Sequence, residues 1–81
     1  MNFWEFNRLN EYQKQAAVRQ HAVRIADRYD QTVHYVLYQF EAFYAEVWFM
    51  RHEHTVLKIR SFDTTGPLDP YLKGITIHID Y

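Results

Sequence analysis

Eighty-one residues with a formal net charge of −1 and a pI near 6.5 make one domain and argue against a general phosphate-backbone binder, which carries a basic stripe and a high pI. The chain has no cysteine, which excludes disulfide staples, thiolate zinc sites and cysteine nucleophiles, and a chain this short buries only about 60–65% of its unfolded surface. The support missing from so thin a core is expected from seven Tyr, six Phe and two Trp, each able to bury roughly 150–250 Å², and from self-association as a homodimer. The opening residues, Met-Asn-Phe-Trp-Glu-Phe-Asn-Arg, hold no long apolar run. No signal peptide or membrane span is therefore expected, and the cytoplasm is the default location.

Phe3, Trp4 and Phe6 form an aromatic cluster ahead of the first helix and are expected to fold back onto that helix or a sheet edge. Residues 8–28 contain neither Gly nor Pro and are rich in helix formers, with Asn7 or Asn10 as N-cap and Gln13 three residues after the latter. On a helical wheel Tyr12, Ala16, Val18, Ala22, Val23, Ile25, Ala26 and Tyr29 share one side, which predicts one long helix lying across a sheet. Arg19 sits inside that apolar arc. It reads as a side chain with a buried stem and a solvated head, with an anion ligand as the alternative.

Asp30 and Gln31 link this helix to residues 33–62, where three runs of β-branched and aromatic residues contain no Gly or Pro. A turn at Glu41-Ala42 sets Tyr38 opposite Ala45, Val36 opposite Val47 and His34 opposite Phe49. A three-residue turn at His52-Glu53-His54 sets Phe49 opposite Leu57, Val47 opposite Ile59 and Glu46 opposite Arg60. The two hairpins then agree on one inner apolar face: Val36, Tyr38, Phe40, Phe43, Ala45, Val47, Phe49, Leu57 and Ile59. A one-residue slip would drive Arg60 into the core. Glu-Ala is poor chemistry for a two-residue hairpin turn, so a four-residue loop over 40–43 with the same pairing is the alternative.

The other face collects Tyr35, Leu37, Tyr44, Trp48, Met50, Val56 and Phe62 around Glu46, Lys58 and Arg60. An outer sheet face is ordinarily polar, and an apolar patch of this extent marks an interface. After the loop at residues 63–67, Asp69-Pro70-Tyr71-Leu72-Lys73-Gly74 carries the signals of a single helical turn. Residues 75–79 alternate as either a fourth strand or a tail that adds to an edge.

The blocks Leu37-Tyr38-Gln39, Phe43-Tyr44-Ala45-Glu46-Val47, Arg60-Ser61-Phe62 and Leu68-Asp69-Pro70-Tyr71-Leu72 resemble a group of small, uncharacterised bacterial proteins. The resemblance covers most of the chain after the first helix. It implies Asp-Gly where this chain has Glu41-Ala42, and it implies no catalytic residue.

Of the arrangements that could carry chemistry, His52-x-His54 has metal-ligand spacing but lacks a third ligand, and reads as a solvated turn. There is no Gly-rich phosphate loop and no His-Glu-x-x-His. The expectation is an α+β domain: one long N-terminal helix on a three- to four-stranded antiparallel meander, with a short helical turn near the C-terminus. Its expected function is non-enzymatic self-association through Tyr35, Tyr44, Glu46, Trp48, Lys58, Arg60 and Phe62, without cofactor or metal. The alternative is a small-ligand or peptide binding module, or a single-stranded nucleic acid binder that stacks bases on the aromatic face.

Overall fold

A computed structural model describes residues 1–64 and 66–71. Two helices, α1 (Phe3–Asn7) and α2 (Glu11–His21), precede four strands, β1 (Val23–Tyr29), β2 (Val33–Gln39), β3 (Tyr44–Met50) and β4 (Val56–Phe62), and a 3-10 turn at Gly66–Leu68. The strands form one antiparallel sheet in the order β1-β2-β3-β4. The α+β class, the antiparallel sheet and the late helical turn agree with the sequence.

The long helix does not. Asn10 caps α2 as expected, its side chain accepting from Gln13 N at 2.8 Å while Gln13 reaches back to Asn10 N at 3.0 Å. The helix nevertheless ends after His21, and Ala22 is already extended. Residues 23–29, expected as its last two turns, instead pair with β2. No Gly or Pro marks this switch; sheet hydrogen bonding to β2 outweighs a weak helical preference. The fourth strand of the described sheet is thus β1, and residues 75–79 lie outside the described residues.

The β2–β3 register matches the sequence reading, with Tyr38 opposite Ala45, Val36 opposite Val47 and His34 opposite Phe49. No described residue has a positive φ, so the connection is the four-residue loop. It is closed by Phe40 N–H donating to Phe43 O at 2.8 Å, with the two rings stacked at 4.4 Å. In the second hairpin Glu46 faces Arg60 and Val47 faces Ile59, but a bulge sets Phe49 opposite Val56. Val56 therefore packs on the core while Leu57, expected inside, is exposed. The connection spans residues 51–55 rather than a tight three-residue turn. Met50 N–H reaches Thr55 O at 2.9 Å, and the extra residues are accommodated by the bulge.

Both sheet faces are covered in part. On the inner face Phe6 of α1 and Ala17 and Val18 of α2 pack against Phe40, Phe43, Ala45, Val47 and Ile59. Phe6 lies 5.2 Å from Phe40 and 5.5 Å from Phe43, ring to ring, and Ser61 hydrogen-bonds Asn7, which fixes α1 over β4. The aromatic cluster thus folds back as expected, with Phe6 fully buried and Trp4 exposed. On the outer face Tyr35, Leu37 and Phe62 are buried together with Tyr71, flanked by Leu68. The 3-10 turn continues into helical residues 69–71, so the turn begins before the expected Asp69 cap.

Candidate functional site

Glu46 is the centre of the outer face. Alternation along β3 sends it to the side opposite Ala45 and Val47, and it is 1% exposed. Its Oε1 accepts from Trp48 Nε1 at 2.7 Å and from Arg60 Nε at 3.1 Å. Its Oε2 accepts from the Tyr71 hydroxyl at 2.6 Å, with the Arg28 guanidinium Nη2 at 3.8 Å. Burying a carboxylate costs several kcal/mol unless such partners meet its lone pairs. Burial, and then the neighbouring carboxylate, push the Tyr71 phenol far above its ordinary range, so its hydroxyl stays protonated and donates.

Arg28 completes this face from β1. Its guanidinium lies 3.8 Å above the Tyr35 ring and 5.3 Å from Tyr71. The Tyr35 hydroxyl donates to Asp30 Oδ2 at 2.6 Å. That bond, together with the Thr32 and Val33 amides on Oδ1, holds the Asp30 carboxyl down at about 2, and the same contact raises Tyr35 above its usual range.

Of the seven residues singled out in the sequence, Tyr35, Glu46 and Phe62 are buried within the chain, Tyr44 and Trp48 are half-buried, and Lys58 and Arg60 are exposed. The structure brings all seven onto one face. Lys58 Nζ lies 4.9 Å from the Trp48 ring, Tyr44 stacks on Phe62 at 5.6 Å, and Arg60 lies 5.6 Å from the Phe62 ring. Sequence reasoning missed Arg28 and Tyr71. Arg28 was hidden by its assignment to the helix, whereas the apolar run over residues 35–38 was a signal that β2 is central and covered on both faces.

His52 and His54 sit in the exposed 51–55 loop. Among the described residues no group of three or more His, Cys, Asp or Glu could hold a metal ion, and no helix is long and apolar enough to cross a membrane. No family model, no curated protein and no solved structure matches this chain.

Proposed function

We propose that this chain is a non-enzymatic, cytoplasmic binding domain that self-associates through the β3–β4 margin of its outer face. One observation carries the reading: Tyr44, Trp48 and Arg60, of the residue types that dominate interface energetics, lie on the outer face of β3 and β4, and β4, which also carries exposed Leu57, is an edge strand among the described residues. Edge strands are ordinarily guarded against such pairing. The centre of the face is closed by the chain itself, so the association surface is the margin rather than the whole patch. A binding role, as opposed to catalysis, is supported by Glu46: three donors hydrogen-bond its two oxygens and the Arg28 guanidinium stands close by, so among the described residues the carboxylate at the centre of the face is engaged in structure.

Sedimentation velocity at a low and a high protein concentration tests this. The wild type is expected to gain mass with concentration and Leu57→Asp to stay monomeric, because a carboxylate there repels a packed copy without touching the core. A wild type that is monomeric at both concentrations rules the proposal out.

A further inference from the structure

The helices cover only part of the inner face. Among the described residues two open lobes, of about 230 and 200 Å³, lie on this face. The lobes share Tyr38 and Phe49 in their lining.

The first lobe is apolar. Val18, Tyr38, Val47, Phe49 and Val56 line it, with Gln15 and Arg19 of α2 at its margin. Arg19 is the one charged group in that lining, and among the described residues it makes no hydrogen bond or ion pair. It differs in this from Arg24, which is tied to Asp27 at 3.1 Å, and from Arg51, which donates to Asp30 O at 2.8 Å. The second lobe is ringed by Arg24, Arg51, His34 and His54, with Glu53 as its acidic member. An apolar floor thus carries, among the described residues, an unpaired guanidinium at its margin, whereas Arg24 and His34 of the second lobe are both held by the Asp27 carboxylate, at 3.1 and 2.8 Å. The complement is a small molecule with a flat apolar body and one anionic head.

We propose that this groove is a binding site for small aromatic carboxylates. The ring lies on Val47, Tyr38 and Phe49, and the carboxylate faces the Arg19 guanidinium, which offers paired N–H donors in a planar fork. The site is separate from the outer-face margin and does not depend on it.

The test is calorimetric titration of the full chain with 2-naphthoate and with its uncharged counterpart 2-naphthalenemethanol. Naphthoate is expected to bind at least about tenfold more tightly than the alcohol, the worth of a charge-assisted hydrogen bond. Arg19→Gln, at an exposed position that does not threaten folding, should erase that preference and leave the alcohol unchanged. Gln15→Trp, which fills the first lobe from the helix side, should abolish binding of both. Absence of binding at millimolar naphthoate overturns the proposal, as does an affinity that neither substitution alters. Concentration-dependent growth in mass that Gln15→Trp removes would assign the groove to a second copy instead, and would overturn it equally.

Discussion

A carboxylate as deeply buried as Glu46 makes the outer face a set of unequal bonds. The Arg60 guanidinium is 42% exposed on its side chain, and when it leaves, Trp48 Nε1 still serves the same oxygen. Arg60→Leu should therefore cost under about 1 kcal/mol, as solvated pairs do. Tyr71 is buried and its hydroxyl makes, among the described residues, the one short hydrogen bond to Oε2. Tyr71→Phe should cost about 1.5–3 kcal/mol, the worth of a hydrogen bond to a charged group. Urea unfolding of the two variants ranks them, and equal losses would mean that the ion pair with Arg60 carries the centre of the face. The Glu46–Arg60 pairing was legible in the sequence because register alone places it. The phenol and Arg28 were not, because each arrives from an element whose position depends on tertiary packing.

At the scale of elements, strands and registers were legible wherever apolar alternation admitted one solution. Two hairpins sharing β3 had to sort Arg60 outward, and they do. The failures have separate causes. Val23 to Tyr29 contains no breaker and suits a helix or a strand alike, so the decision rests on whether β2 has a free edge, which is a property of the fold. The Leu57 and Val56 exchange is a bulge, invisible to a strict two-residue period. The turn that joins β1 to β2 was read as a bare link, yet Asp30 organises it, with Oδ1 accepting from the Thr32 and Val33 amides and Oδ2 from Tyr35. Its carboxyl lies at about 2 against an ordinary 3.8. A depressed folded-state value means that this contribution is complete above the unfolded value and is lost as pH falls toward the folded one. The difference in urea midpoint between wild type and Asp30→Asn should hold steady above pH 3.8 and narrow on acidification toward pH 2. A difference that does not change with pH would leave the charge of Asp30 without a role in the turn.

The described residues form one sheet with a small core on each side, helices over one face and the 66–71 turn over the other. Neither core stands alone, since β2 and β3 contribute side chains to both by alternation. The two should therefore melt together. A domain of this length has about 4–12 kcal/mol of stability to lose. Phe43 is 2% exposed at the centre of the inner core, and Phe43→Ala should cost about 3–5 kcal/mol, a large part of the total. Because the cores share their strands, that damage on the inner face must also release Trp48 on the outer face. Trp48 emission is a clean reporter of this, since Trp4 is already 69% exposed and changes little on unfolding. The expected result is that emission and the far-ultraviolet helix signal give the same urea midpoint in the wild type, and that both shift by the same amount in Phe43→Ala. If the helix signal is lost at lower urea while Trp48 keeps its native emission, the outer core holds the sheet without its helices. The molecule would then be two stability units on one sheet.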